Sequence, residues 1–488
     1  MLKRILYSLH RILGTILSIL FLVWFLSGFV MIYHTFPKVS NRDSYAQMES
    51  LKGNFLPVDS VLKDVQELPQ KFVLKSFADK PIYEYSISDK NIKISADTIS
   101  QSVYVLSYSD IERYASRWVQ SPITKVDTLR QLDQWIPFSR YNKDFPIYKF
   151  YFEDEAKHEL YISSVSGEAL QFTDKNNRFW AWMGAIPHWI YFTSLRQNSQ
   201  LWMDVIIWLS GFGCMMCIAG ITLGIRSYIK QYKRKKKLKT PYRKFVYKWH
   251  HILGFVFGIF VFTFVFSGMM SLATVPQWIV KVNNDSIVRK LYDTPPIDIN
   301  NYKFGYQKIL DEYPNQVKRI EWTTFGDKPI YKIIVDNRLI TLDASVNEIK
   351  PLALDETDIR NRLSYFHNDE VNISLMNEYD NYYVGRTNHL PLPVYKAIID
   401  DTDGSTYYIS PKNGNIKYYN TNTKVRRWTY QALHSFKFKY LAERPVLWNI
   451  VMWTTMTGGT IVSLSGVWLG FRYIKRKIKK LKQYICSK

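Results

Sequence analysis

Four stretches of the chain, residues 12–33, 205–225, 252–275 and 446–471, carry no charged side chain. Each is long enough to cross a hydrocarbon core that needs about 20 helical residues, so each predicts a membrane-spanning helix. Between the first and second runs, and again between the third and fourth, the pattern changes to short alternating segments. Residues 81–85, 146–150, 329–333 and 393–397 all begin Pro-(Ile/Val)-Tyr and predict strands. A second strand follows, as in 161–168 and 408–415, and ends in a turn where Gly167 and Gly414 supply positive φ. Helical stretches such as 59–68 and 111–118 precede them. The pattern predicts an α+β mass of four small helix-plus-sheet modules, two in each half of the chain.

The division that follows is 1–34 (first span), 35–200 (modules), 201–226 (second span), 227–248 (basic loop), 249–275 (third span), 276–445 (modules), 446–471 (fourth span) and 472–488 (basic tail). The first run exceeds the apolar region of a cleaved signal peptide, and no small-x-small cleavage site follows at Tyr33-His34-Thr35, so it is expected to be retained.

The two halves resemble each other. Tyr7, His10, Ile12, Leu13 and Gly14 recur at Tyr247, His250, Ile252, Leu253 and Gly254, and Ser27-Gly28 at Ser267-Gly268, all 240 residues on. His188, Leu201-Trp202, Gly220, Leu223-Gly224 and Arg226 recur 246 residues on, at His434, Leu447-Trp448, Gly466, Leu469-Gly470 and Arg472. Each half reads helix, exported segment, helix. The expected architecture is a four-helix transmembrane bundle of two parallel repeats, related by an axis along the membrane normal.

The net charge of +23 suggests nucleic acid until it is located. Twenty-two of the 65 Lys and Arg residues lie in segments 1–15, 226–248 and 472–488, which hold no Asp or Glu, leaving 43 against all 42 acidic residues elsewhere. Basic charge on one side of the spans is the positive-inside pattern. It places both termini and the KRKKKLK loop in the cytoplasm of a bacterium, the modules in the periplasm, and the spans in the inner membrane. Nucleic acid is not an expected partner; the lipid bilayer is. Cys214, Cys217 and Cys486 lie outside the exported segments, and Cys214-x-x-Cys217 is followed by Ile218 rather than the His of covalent haem attachment, so small packing residues are the simpler reading.

With LHRILG at 9–14, HHILGF at 250–255, His188 and His434 ahead of the returning helices, and the repeated modules, the chain resembles the PepSY-associated transmembrane proteins over nearly its whole length. The resemblance implies PepSY-like periplasmic modules. It also implies the activity of that family's siderophore reductases, which hold two b-type haems and pass electrons to ferric iron on a periplasmic chelator.

Ionisable residues at membrane depth are costly and are usually functional. Haem ligation gives the repeated histidines a task, because facing helices can supply two axial imidazoles. His10 and His250 are expected to hold one haem at the cytoplasmic mouth, and His188 and His434 a second at the periplasmic mouth. For any one of them alone, an interfacial side chain bonded to backbone or headgroup is the competing reading. Gly14 and Ser18, with Gly254 and Gly258, lie on the histidine face and give a porphyrin clearance; they equally suit small-residue helix contacts.

His34, 24 residues beyond His10 and so about 36 Å along a helix, is expected on the substrate side, with a supporting role or as an alternative outer ligand. His251, whose counterpart is Arg11, is a reserve inner ligand. His158, His367 and His389 read as ordinary surface or turn residues. Trp180, Trp182, Trp189, Trp202, Trp428 and Trp448 fit an interfacial aromatic belt or the flanks of an outer haem.

The leading expectation is a membrane ferric-chelate reductase. It carries no flavin or nicotinamide fingerprint, so its electron donor is a cytoplasmic protein or a membrane quinol. A membrane-anchored PepSY module acting on a periplasmic peptidase or partner is the alternative, and a thin transporter the third.

Overall fold

The computed structural model describes residues 1–63, 65, 67–87, 90–97, 102–273, 276, 278–280, 282, 295–386 and 390–486. His389, and Thr274 and Val275 at the end of the third apolar run, lie outside them.

Among the described residues, four helices are long and apolar enough to cross a membrane: Leu2–Met31, Ser199–Lys235, Phe245–Leu272 and Pro445–Cys486. They pack as a ring in the order first, fourth, third, second, which puts the first opposite the third across the bundle. Two run further than the apolar runs. The second continues through the basic loop to Lys235, and the fourth through the basic tail to Cys486, so the loop proper is 236–244. Residues 226–235 and 472–486 contain neither Gly nor Pro and are rich in Lys and Arg, which propagate a helix well. The second helix stops where Lys236 turns left-handed at φ 52°. The first ends at Met31 rather than His34, whose N–H still reaches the carbonyl of Val30 at 2.8 Å.

Among the described residues, fifteen strands form three antiparallel sheets. In the first half they are β1 (Phe72–Phe77), β2 (Lys80–Ile87), β3 (Lys90–Ser95), β4 (Ile123–Leu129), β5 (Ile147–Phe152), β6 (Glu159–Ser163) and β7 (Ala169–Thr173). The second half has β8 (Val317–Phe325), β9 (Lys328–Val335), β10 (Arg338–Asp343), β11 (Lys350–Pro351), β12 (Val371–Met376), β13 (Val394–Ile399), β14 (Thr406–Ile409) and β15 (Ile416–Tyr419). All four Pro-(Ile/Val)-Tyr segments lie in or at the start of strands, and Gly167 and Gly414 take φ +73° and +66° at their turns. The helical stretches are shorter and earlier than expected, Val58–Leu62 and Tyr108–Ala115; the second is fixed by a capping box between Ser107 and Asp110.

The expectation of four separate modules is corrected by strand pairing. β4–β7 and β12–β15 are independent four-stranded sheets, but β1–β3 and β8–β11 join into one seven-stranded sheet through β1 and β8. The registers are Phe72↔Trp322, Val73↔Glu321 and Leu74↔Ile320. Residues 77–83 and 325–331 read FADKPIY and FGDKPIY, 248 apart, and on that spacing Glu321 is the counterpart of Val73. The two equivalent strands therefore pair about a centre that maps each onto the other. Neither edge alone offers a row of free N–H and C=O groups to water. Phe72, Leu74, Tyr83, Trp322, Tyr331 and Ile333 from both halves fill one core, each side chain contributing about 1.5–3 kcal/mol by leaving water.

The other two sheets sit against the segments that lead into the second and fourth long helices. On the β4–β7 side, the Gln171 amide donates to the carbonyls of Pro37 and Trp135, and that of Gln134 to Tyr191. On the β12–β15 side, Trp428 donates to the Tyr382 hydroxyl, and Arg426 to the carbonyl of Ser271 at the end of the third long helix.

Candidate functional site

The segments entering the second and fourth long helices are built alike. Lys175–Met183 and Thr421–Arg426 each open on a capping box, at Asp174 with Asn177 and at Asn420 with Thr423. A break follows. In the first half the chain leaves the helix at Gly184, and in the second it makes a π-helical turn over Arg427–Ala432. Each half then places a histidine in a short helix, His188 in Ala185–Trp189 and His434 in Leu433–Ser435. Two residues on, Ile190 and Phe436 both adopt left-handed backbone, φ 53° and 48°, which costs a side-chain-bearing residue about 1–2 kcal/mol. The turns are clamped by indoles: Trp202 Nε1–H donates to the carbonyl of Trp189, and Trp448 Nε1–H to that of Ser435, both at 2.8 Å.

This construction brings His188 and His434 together from opposite halves, with ring centroids 6.1 Å apart. At the other end of the bundle, His10 of the first long helix and His250 of the third stand 6.2 Å apart. Separations of this size also occur between ordinary packed rings. Hydrogen bonding and space set these pairs apart.

Nδ1 of His10 lies 3.1 Å from the carbonyl of Met216, which only accepts, so the proton is on Nδ1. His188 and His434 are held the same way by the carbonyls of Trp24 and Phe264, and by the hydroxyls of Ser27 and Ser267. Those serines spend their own protons on helix carbonyls, so they too accept. His250 Nδ1 meets Ser465 Oγ at 2.8 Å, and that hydroxyl donates to Val462. All four rings are thereby fixed as the tautomer whose Nε2 is a bare lone pair. Two such lone pairs cannot hydrogen-bond to each other. Metal-binding histidines are oriented in this manner, by a second nitrogen tied to a carbonyl or its equivalent.

Both pairs border cavities inside the bundle. The one at the basic end is about 470 Å³ and the one on the sheet side about 530 Å³, both within the range of cofactor pockets. Gly14, Ser18, Gly254 and Gly258 all line the first. A Cβ on Gly220 would lie 2.6 Å from His10 Cε1, whereas one on Gly254 would meet nothing within 4 Å. Glycine is thus required where the ring leans on the neighbouring helix, and it leaves open space beside His250. On the sheet side the histidines stand further off: a Cβ on Gly28 would lie 3.5 Å from His188 Cε1, and one on Gly268 3.8 Å from His434 Cε1, both ordinary van der Waals contact. Phe21, 2% exposed, lines both cavities and is the wall between them.

Basic side chains border both cavities, Arg11 and Arg476 at one and Arg386 and Lys437 at the other. The Arg386 guanidinium lies over the Trp448 ring at 3.9 Å. Arg386 and Lys437 were not singled out by sequence, because no counterpart marks them in the first half.

No protein-family model matches the chain, and no curated protein matches it.

His34 is not part of the sheet-side pair. Its ring stacks on Trp180 at 4.5 Å, and neither residue lines the cavity. His251 lines the basic-end cavity but packs on Tyr228 and Tyr242 at 4.6 and 5.2 Å; both its nitrogens are buried and neither meets hydrogen-bond geometry. Of the six tryptophans expected at the membrane interface, Trp189, Trp202 and Trp448 line the sheet-side cavity, while Trp182 is half-exposed. His158 pairs with Asp154 at 2.6 Å, and buried His367 bonds the Tyr407 hydroxyl at 2.7 Å, so both have structural partners away from the long helices. Cys214 and Cys217 are buried in the bundle core.

Proposed function

We propose that the protein is a haem-containing reductase of a bacterial inner membrane that passes electrons across the bilayer to chelated ferric iron, in line with its resemblance to PepSY-associated siderophore reductases. The observation that carries this reading is the pair of cavities, each bordered by two imidazoles from opposite halves with Nδ1 already occupied. Two imidazoles binding one metal ion from opposite sides, each through a bond of about 2 Å, bring their ring centroids to roughly 6 Å. The observed 6.2 and 6.1 Å fit that requirement. A bare ion needs three or four protein ligands, and no group of three His, Cys, Asp or Glu side chains able to hold one occurs among the described residues. Two imidazoles beside a cofactor-sized cavity suit a metal whose remaining ligands come from a macrocycle.

His10 and His250 would hold one haem b and His188 and His434 the other. Bound there, haem supplies one-electron carriage. The carbonyls of Met216, Trp24 and Phe264 and the hydroxyls of Ser27, Ser267 and Ser465 orient the imidazoles. Arg11 and Arg476 offer cations to propionates at the basic end. Phe21 and the apolar core about it keep water out of the interval between the cavities.

The duplication is part of the proposal. Equivalent serines, indoles and left-handed turns recur about the two sheet-side histidines, and β1 pairs with β8 about a self-equivalent centre. These support two parallel repeats carrying PepSY-like modules. The basic segments at one end support cytoplasmic termini and periplasmic sheets. The electron donor is then a cytoplasmic protein or a quinol, and the acceptor a ferric siderophore or related chelate.

An absorption spectrum of the full chain purified from haem-supplied cells tests the reading. A Soret band that shifts on dithionite, with two haems per chain falling to one in His10→Ala, is expected. A colourless protein would overturn it and return the modules to the alternative reading, a membrane-anchored regulator of a periplasmic partner.

A further inference from the structure

The segment that leads into the fourth long helix departs from its first-half equivalent in charge. On the 246-residue spacing that aligns His188 with His434, residues Gln171, Ala181 and Tyr191 correspond to Lys417, Arg427 and Lys437. The first-half positions are neutral and satisfied: Gln171 bonds two carbonyls and Ala181 is fully buried. Each second-half position carries a cation.

Arg427 is only 4% exposed, and its Nε, Nη1 and Nη2 are all buried without a hydrogen-bond partner. It belongs to the same π-helical turn as Tyr430, which lines the sheet-side cavity. Lys437 and Arg386 line that cavity too. Lys417 reaches the carbonyl of Tyr382 at 3.1 Å. The acid that acts on this group is Asp380, and it is already engaged. It accepts from Lys396 at 2.8 Å, from the Tyr408 hydroxyl at 2.7 Å, and from the N–H groups of Tyr382 and Tyr383. Burial and mutual repulsion hold Lys417 and Lys437 below the ordinary lysine range. A desolvated guanidinium whose three nitrogens meet no hydrogen-bond acceptor is costly, and an anion would offset that cost.

We propose that Arg386 and Lys437, which line the sheet-side cavity, form a carboxylate-binding site with Lys417 and Arg427 behind them, and that the iron chelate it receives is a polycarboxylate complex of iron(III). This substrate class rests on the reductase reading above; the anion site itself does not. Arg forks and Lys ammonium groups match carboxylates. A carboxylate can come from a chelate or from the propionates of a haem in the cavity, and the two sources are separable.

Gallium(III) citrate, which cannot be reduced by one electron, serves as the probe, and calorimetry on the full chain in detergent reads its binding. Arg427 is left intact because its removal endangers folding. Lys417→Gln and Lys437→Gln are each expected to weaken gallium citrate binding roughly tenfold or more, as loss of a charge-assisted bond does, with the Soret band unchanged. A gallium complex of a neutral or cationic hydroxamate is expected to bind less well and to ignore both substitutions. Equal binding of both complexes, or unchanged affinity in both variants, overturns the proposal. So does loss of one haem with chelate affinity retained, which would assign the cluster to propionates. A haem-free chain that binds gallium citrate and loses it in the variants sustains the anion site and removes the reductase reading. A two-haem chain that ignores gallium citrate does the reverse.

Discussion

The approaches to the second and fourth long helices are the most instructive pair of regions in the molecule. They share a capping box, a break before the histidine, a left-handed residue two positions after it, and an indole clamp across the turn. Every shared feature lies along the approach to one imidazole or on the turn that follows it. What they do not share is charge, since Arg427, Lys417 and Lys437 stand where the first half has Ala181, Gln171 and Tyr191. A cofactor lying between two halves makes the same demand on both. A substrate arriving from one side makes a demand on one only.

The largest effect is expected from the shared feature. On the proposed reading, His188→Ala and His434→Ala should each remove the sheet-side haem, taking haem per chain from two to one and abolishing chelate reduction, because each imidazole would supply half of the protein's hold on it. Haem content by pyridine haemochrome checks it. If one variant keeps two haems, the halves are not equivalent at the imidazole.

How much of this was legible in the sequence follows from the kind of interaction involved. The apolar runs are local, and the histidines are marked by flanking residues that repeat 240 and 246 positions on; the four helices and the proximity of His10 to His250 and of His188 to His434 follow them. His34 was harder to place because arc length along a helix puts it at the right depth, but not facing the partner; Trp180 takes its ring instead. The fusion of β1 with β8 pairs residues some 250 positions apart, through backbone groups that every strand edge offers alike, so no residue announces it. Arg386 and Lys437 reach the cavity through tertiary folding of a segment with no matching motif. The helical extensions through 226–235 and 472–486 were hidden by charge, which marks the end of a membrane span but not of a helix.

A sharper comparison is available at the basic end. Gly220 and Gly466 are equivalent by the 246 spacing, yet a Cβ on Gly220 would press within 2.6 Å of His10 Cε1, while one on Gly466 would sit 3.8 Å from His250 Cε1 and 3.4 Å from Ser18 Cβ. Gly220→Ala should therefore displace the His10 ring and weaken haem retention roughly tenfold, as disturbed support of a ligand does, with Gly466→Ala nearly unchanged. Equal losses in haem titrations of the two variants would mean that the cavity relaxes around both.

Acidity separates the halves next. Burial, then the repulsion of Arg427 and Lys437 against the pull of Asp380, brings Lys417 down to about 8, and the rings of Tyr383 and Tyr419 complete its surroundings; Gln171 has nothing to titrate. A lysine held below its unfolded value opposes folding while protonated, so this group's penalty is full below about pH 8 and fades as the pH climbs toward the ordinary lysine range. In the folded chain its charge is lost around pH 8. Gallium citrate affinity should fall roughly tenfold from about pH 7 to 9 while the melting temperature of the ligand-free chain rises, and Lys417→Gln should flatten both curves.

The smallest effect probes whether the two approaches are equally stable as folded units. Asp174 and Asn420 each accept from the N–H three residues on, Asp174 from Asn177 at 2.8 Å and Asn420 from Thr423 at 2.9 Å, and the N–H of each cap residue donates in turn to the side chain at that third position. Replacing either cap by Ala leaves one helix-terminal donor unpaired and costs about 1 kcal/mol. Asp174 adds a negative charge at the helix N-terminus that neutral Asn420 lacks, worth about 0.3–1 kcal/mol more in the first half. Thermal melting of Asp174→Ala and Asn420→Ala should show the first as the more damaging. In 1 M salt the excess should shrink, because the charge is screened while the hydrogen bond is not. Equal damage at low salt would mean that the cationic cluster behind Asn420 already loosens that helix, so that its cap has less order to protect.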